Sequence, residues 1–165
     1  MEMVERSASN TVLNRLSEFI AMVKEDAEYA ATTYDIPLTL LIAIAAHESD
    51  FGKSDLAVNH NNYFGVEAVK NQKRTHDGRY REFTSRRGCF LSTAGLLASW
   101  LYNLSGRKAT SAVINKMAPM YYLGKKWDQL NAHELIATEQ WVDAVTKYVA
   151  GIKMCLKRPS HGTVR

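Results

Sequence analysis

Residues 43–52 read Ala43-Ile44-Ala45-Ala46-His47-Glu48-Ser49-Asp50-Phe51-Gly52, and Asn61-Asn62-Tyr63-Phe64-Gly65-Val66 follows soon after. The first stretch sets a carboxylate where a carboxylate is costly. Across residues 36–46 nearly every side chain is apolar, and Pro37 stands at a natural first helical position. A helix that is apolar on all sides belongs inside a core. Glu48 lies three, four and seven residues after Ala45, Ile44 and Leu41, so it shares their helical face. Burial disfavours the ionised form of an acid and raises its pKa. A carboxyl group still protonated near neutral pH can give its proton to a leaving oxygen. Cleavage of a glycosidic bond requires that step. A glutamate at a helix end is also commonly solvated or ion-paired, so position alone leaves both readings open. Gly52 marks the helix stop.

The wider neighbourhood carries a resemblance. Glu48-Ser49-Asp50-Phe51-Gly52-Lys53-Ser54-Asp55-Leu56-Ala57, followed by Asn61-Asn62-Tyr63-Phe64-Gly65-Val66, resembles the glucosaminidase family of peptidoglycan hydrolases, glycoside hydrolase family 73. That family includes flagellar-rod and autolysin domains. Its pattern is an apolar helix ending in Ala-x-x-Glu-Ser-x-x-Gly, a short Ser-x-Leu-Ala helix, then Asn-Asn-x-Phe-Gly-Ile. Tyr80-Arg81-Glu82-Phe83-Thr84-Ser85 is similar to the family's Phe-Arg-x-Tyr-x-Ser, and residues 90–97 to its Phe-x-x-x-Ala-x-Leu-Leu helix. The resemblance runs over residues 13–152 and is most specific between Glu48 and Gly65.

The resemblance implies a lysozyme-like cleft with Glu48 as general acid. It also implies a second acid in a β-hairpin lobe beyond the Asn-Asn-x-Phe-Gly segment. Thr75-His76-Asp77 is similar to the family's Thr-x-Glu, which makes Asp77 the leading candidate. Asp77 is equally suited to making the Asp-Gly turn. Glu67 and Glu82 are the other options, and assistance from the substrate's own acetamido group is a route without a second acid. By the same resemblance Tyr63 and Phe64 line the cleft floor, although Phe64 fits a core equally well. Asn62 either bonds an acetamido group or stabilises its turn. Ala118-Pro119-Met120-Tyr121-Tyr122 resembles a Tyr-Ala-x-Asp-Pro segment near the active site. Tyr121 is the candidate there, with Tyr122 next, but the acid that should follow is missing. Trp100, Trp127 and Trp141 lie in apolar helical patterns and read as core.

The 165 residues fit one domain, and 46% hydrophobic residues can supply its core. No apolar run reaches the roughly 18 residues of a membrane span. Met1-Glu2-Met3-Val4-Glu5-Arg6 lacks the layout of a secretory signal. Either the protein has no such signal or the signal lies ahead of these residues; without one, action at the cell wall or periplasm calls for another carrier: a secretion or conjugation machine, a phage lysis system, or release in a lysing cell. Cys89 and Cys155 read as small buried hydrophobes rather than a disulfide framework. His47-Glu48 is not followed by a histidine at zinc-protease spacing, and His60, His76, His133 and His161 show no paired ligand spacing. No metal and no cofactor are expected.

The net charge is +4, and it is concentrated. Lys70, Lys73, Arg74, Arg79, Arg81, Arg86 and Arg87 face only Asp77 and Glu82 within residues 70–87. Such a run can hold an anionic glycan, with peptidoglycan as the partner. A solvated hairpin explains the run equally well, and nucleic acid is the less favoured partner.

Periodicity predicts helices over residues 11–33 and 37–48, a short one over 54–57, and others over 88–104, 110–117 and 138–154. Ser105-Gly106 closes the fourth of these. His76-Asp77-Gly78-Arg79 predicts a turn between two short extended stretches. Residues 1–9 read as a flexible N-terminus, 10–156 as one catalytic domain and 157–165 as a flexible basic tail. The fold class is mainly α, a lysozyme-like α+β domain with a small β-hairpin lobe. The expected activity is that of an endo-β-N-acetylglucosaminidase on peptidoglycan. The alternatives are a lytic transglycosylase and an inactive glycan-binding module. Carboxylate separation would bear on stereochemistry, roughly 5 Å suggesting retention and roughly 6.5–9.5 Å inversion.

Overall fold

Helix α2 (Leu38–Glu48) is the axis of the molecule. Leu40, Leu41, Ile42, Ala43, Ile44, Ala45 and Ala46 are all fully buried, as an all-round apolar helix demands. The computed structural model describes residues 2–101 and 108–157, with side chains from Asn10 onward. Around α2 stand α1 (Glu2–Tyr34), α3 (Asp55–His60), α4 (Arg86–Leu101), α5 (Ser111–Leu123) and α6 (Ala132–Lys157). Helices α1 and α6 pack against α2 and against each other, while α4 lies across α1. A methyl group at Gly151 of α6 would stand 2.6 Å from Leu16 Cδ1 of α1, so a larger residue there must push the buried Leu16 side chain aside. No described helix is long and apolar enough to cross a membrane.

Most predicted helices are present with shifted ends. The first already begins at Glu2, so the polar opening run continues helix. The last starts at Ala132, six residues early. Asn131 Oδ1 accepts from the Glu134 N–H (2.8 Å) and Glu134 Oε1 accepts from the Asn131 N–H (3.2 Å), a reciprocal cap. The predicted stop at Ser105-Gly106 and the tail beyond Lys157 lie outside the described residues.

Helix α5 runs through Pro119 to Leu123, past the predicted end at Met117. Proline has no N–H to give the carbonyl four residues back. That carbonyl, Asn115 O, instead accepts from the Trp127 indole N–H at 2.8 Å. Gly124, at φ 66°, then ends the helix. Tyr121 and Tyr122 are thereby held on its last turn.

The expected β-hairpin lobe is not formed as regular strands. Among the described residues it is reduced to two isolated antiparallel bridges, Glu67 to Tyr80 and Arg74 to Arg81. Residues 79–82 pair on both sides. Ala68 N–H bonds Arg79 O (3.0 Å) and Arg81 N–H bonds Val66 O (2.9 Å) on one side. Thr75 N–H bonds Tyr80 O (2.9 Å) and Glu82 N–H bonds Lys73 O (2.8 Å) on the other. The turn at residues 69–72, closed by Gln72 N–H to Val69 O (3.2 Å), folds the chain back before either pairing can lengthen.

Candidate active site

Glu48 is the last residue of α2, and the chain beyond it fixes that end. Ser49, fully buried, donates its hydroxyl to Ala45 O (2.6 Å) and accepts from the Gly52 N–H (2.8 Å). Phe51 N–H reaches back to Ala46 O at 2.9 Å. Asp50, Phe51 and Gly52 are all left-handed, at φ 49°, 55° and 80°. At Gly52 an added Cβ would also meet Met22 Sδ at 3.1 Å and Phe19 Cε1 at 3.2 Å. Glu-Ser-x-x-Gly is therefore a helix-stop device. It turns the chain away at once and leaves the Glu48 carboxyl at the helix rim.

Helix α6 supplies the partner. The Trp141 indole N–H donates to Glu48 Oε1 at 2.9 Å. Indole is a donor only, so Oε1 must accept, and a proton carried by this carboxyl belongs on Oε2. Burial pushes the Glu48 pKa up. The Trp141 hydrogen bond and the charge of neighbouring His47 pull it back in part. Tyr121 faces the same group. Burial first, and then the charge of Glu48, hold its phenol well above the usual range. The surrounding rings interlock. Tyr121 lies 5.4 Å from Trp141 and 5.7 Å from Trp100, and His47 meets Trp141 edge-on at 6.4 Å.

Glu48 opens into a cleft of about 540 Å³, within the usual range for ligand sites. Phe64, Val66 and Glu67 come from the segment after α3, and Arg79 and Tyr80 from the bridged lobe. Leu96 and Trp100 come from α4, and Tyr121 and Tyr122 from α5. A second hollow of about 340 Å³ lies beside it, lined by His47, Glu48, Tyr122, Ala137, Gln140 and Trp141. Glu48 and Tyr122 border both.

Of the residues singled out in the sequence, Phe64, Glu67, Tyr121 and Tyr122 join Glu48 in this cleft. Tyr63 and Asn62 are placed elsewhere. The Tyr63 ring packs between Phe19 (6.4 Å) and Phe90 (5.7 Å), and its hydroxyl accepts from Arg86 Nε (3.2 Å). Asn62, only 1% exposed, donates to Val66 O and Arg81 O (both 2.9 Å) and accepts from the Val66 N–H (3.0 Å). Its amide braces the cleft wall to the lobe and has no capacity left for a ligand.

The three second-acid options differ sharply. Asp77 Oδ1 accepts from Thr75 Oγ1 (2.6 Å) and from the Arg79 N–H (3.0 Å), and these bonds, Thr75 first, hold its carboxyl below the usual range. It makes the Asp-Gly turn and is not among the residues lining the cleft. Glu82 is clamped by His60 Nδ1 and Lys73 Nζ, both at 2.9 Å, with its pKa lowered chiefly by the His60 bond. Glu67 lines the cleft.

Much of the basic run is structural. Arg74 bonds Gly78 O (3.1 Å) and Val69 O (3.3 Å), Arg86 bonds Met22 O (2.8 Å), and Arg87 pairs with Asp26 (3.0 Å). Arg81 lies over the Phe83 ring at 4.4 Å. Only Arg79 of this run lines the cleft. Cys89 and Cys155 form no disulfide; Cys155 Sγ donates to Leu13 O (3.6 Å), and burial pushes the Cys89 thiol up to about 12.

Trp100 and Trp141, read from sequence as core, belong to the site. Trp141 is both, being 2% exposed and bonded to the acid. No local pattern links it to Glu48, which lies 93 residues earlier.

The fold is shared with solved structures. A C-terminally truncated glycoside hydrolase domain of FlgJ from Salmonella typhimurium superposes with a TM-score of 0.60 at 18% identity, covering 84% of this chain and 98% of that one. A chain from a type VI secretion system effector–immunity complex of Pseudomonas protegens gives 0.61 at 18% identity, covering 87% and 99%. The catalytic domain of the autolysin Auto from Listeria monocytogenes gives 0.50 at 17% identity, covering 81% and 87%. No curated protein matches the sequence. The glucosaminidase family model, described as mannosyl-glycoprotein endo-β-N-acetylglucosaminidase, matches residues 24–154, the stretch that carries Glu48 and every wall of the cleft. This chain belongs to the glucosaminidase family.

Proposed function

We propose that the chain is a peptidoglycan hydrolase, an endo-β-N-acetylglucosaminidase that cuts the β-1,4 bond after N-acetylglucosamine with Glu48 as general acid. The observation that carries this reading is the Glu48 carboxyl. It is raised in pKa by burial, held at one oxygen by Trp141, and stands where two hollows meet. A protonated Oε2 can give its proton to the leaving oxygen of a strand lying along the groove. That Glu48 borders two hollows supports cutting within a strand rather than only at its end. Trp100, Tyr80, Tyr121 and Phe64 offer rings for the apolar faces of sugars. The FlgJ and Auto domains supply the likeness to wall-cleaving proteins. Such an enzyme acts at the cell wall or periplasm. The likeness to a chain of a type VI effector–immunity complex supports a secretion machine as its carrier.

The test is mass spectrometry of fragments released from purified peptidoglycan by the wild type and by Glu48→Gln. Reducing N-acetylglucosamine ends, absent from the variant, are the expected result. Hydrolysis retained in Glu48→Gln would refute the assignment. Anhydro-muramic ends would make the chain a lytic transglycosylase. No fragments from any wall type would make it a glycan-binding module.

A further inference from the structure

The groove holds a second carboxylate that the family pattern does not anticipate. We infer that Glu67 is the water-activating carboxylate of this enzyme, an assignment that rests on the glycosidase reading above. Three observations converge on it. Glu67 and Glu48 border the same cleft, whereas Asp77 and Glu82 do not. Asp77 and Glu82 have their carboxylates committed to their own lobe. Glu67 is half open to solvent, with 65% of its side-chain surface exposed, so a bound strand and a water can reach it.

Its position is also fixed. The backbone of Glu67 is bridged to Tyr80, and Arg79 Nε bonds Glu67 Oε1 at 3.3 Å. Arg79 in turn lies over the Tyr80 ring at 5.0 Å. Among the described residues this is the bond Glu67 makes, and it engages Oε1 alone. Oε2 is left to accept a proton from water. The ring under the guanidinium limits where the pair can swing.

The step balances as a displacement at the anomeric carbon. The water oxygen forms the new bond to that carbon and its proton passes to Glu67 Oε2. The glycosidic C–O bond breaks, its electron pair goes to the leaving oxygen, and that oxygen takes the proton from Glu48 Oε2. Solvent then restores both carboxyl groups.

Chemical rescue tests the assignment. Glu67→Ala, Asp77→Ala and Glu82→Ala are assayed on peptidoglycan beside the wild type, with and without sodium azide, and their folding is checked by circular dichroism. Glu67→Ala is expected to lose about 100-fold or more in rate, the usual scale for removing a general base. Azide, which needs no deprotonation, is expected to restore turnover in Glu67→Ala alone and to give a glycosyl azide visible by mass. Glu67→Gln, of the same size, serves if the alanine variant fails to fold. Glu67→Ala at near wild-type rate overturns the inference while leaving Glu48 as the acid. Azide rescue of Asp77→Ala or Glu82→Ala in its stead moves the role to that residue. A wild type that releases no fragments defeats the glycosidase reading and this inference with it.

Discussion

Replacing Trp141 with Phe isolates what α6 does for the acid. The indole N–H sits 2.9 Å from Glu48 Oε1 in a residue only 2% exposed, so phenylalanine keeps most of the packing and removes the donor. A hydrogen bond to a charged group contributes about 1.5–3 kcal/mol. The bond to the ionised carboxylate is roughly twice as strong as one to the neutral acid. About half of that figure, ~1 kcal/mol, therefore discriminates between the two protonation states. One pKa unit corresponds to about 1.4 kcal/mol, so the Glu48 pKa is expected to rise by somewhat less than one unit.

The sign decides the assay. The Trp141 bond lowers the Glu48 pKa, and removing it leaves burial less opposed. His47 and Tyr121, the titratable groups facing Glu48, are unchanged in the variant. The protonated acid then persists to higher pH, and the basic limb of the pH–rate profile moves upward by up to about one unit. The rate at the optimum falls by about tenfold, because the carboxyl can rotate away from the leaving oxygen. The profile is measured as fragment release from peptidoglycan between about pH 4 and pH 9. A purely structural loss would scale the whole profile without moving the limb. An unmoved limb, or one displaced to lower pH, would refute the reasoning.

Two further outcomes follow from the same geometry. Glu48→Gln keeps an oxygen for the Trp141 N–H but cannot ionise. The raised folded-state pKa of Glu48 contributes stability that is fully present below the ordinary value of 4.5 and is lost as pH rises through the folded-state value. The variant is thus expected to melt above the wild type near pH 8 and level with it near pH 4. The gap at high pH is about 1.4 kcal/mol for each pH unit by which folding raises the carboxyl's pKa. A pH-independent difference would contradict this. Gly52→Ala places a side chain at φ 80° against Met22 and Phe19. It should cost about 1–3 kcal/mol, or roughly 2–4 °C in Tm per kcal/mol for a chain of this size. An unchanged Tm in a thermal melt would show that the helix stop relaxes freely.

The legible part of this molecule is what local chemistry dictates. Residues 36–46 announce a buried helix because nothing polar but Thr39 interrupts them, and Ser49 with Gly52 announces its end. Glu48 stands out because it is the acid at that junction. The end of α5 is not legible from periodicity, because Pro119 stands inside the helix and leaves a carbonyl that needs a donor from elsewhere. Here Trp127 supplies one from a segment that pattern alone cannot place. The lobe misleads. Its Asp-Gly turn is real, but one segment divides its hydrogen bonds between two partners and no regular strand results. Phe64 and Tyr121 are readable through motif spacing. Trp100 and Trp141 are not, because apolar spacing on a helix reports burial and says nothing of which buried face adjoins an acid. Asp77 and Glu67 show the same limit. A motif likeness draws the eye to Asp77, while the cleft wall that holds Glu67 exists only once α3, the lobe and α5 have come together.

Trp141 also explains why the acid and the core cannot be separated. Helix α6 packs on the buried helix α2, and the same packing carries the Trp141 hydrogen bond that moderates the Glu48 pKa. Burial alone would hold the proton more tightly, whereas a general acid must also release it to the leaving oxygen. The indole opposes that without adding a charge, since a neutral donor favours the carboxylate but creates no salt bridge that would hold it ionised. A lysine or arginine in place of Trp141 would do the second thing and remove the acid. The position therefore calls for a residue that is apolar enough for the core and has one donor and no acceptor. Tryptophan alone among the amino acids combines these properties in a side chain of that size.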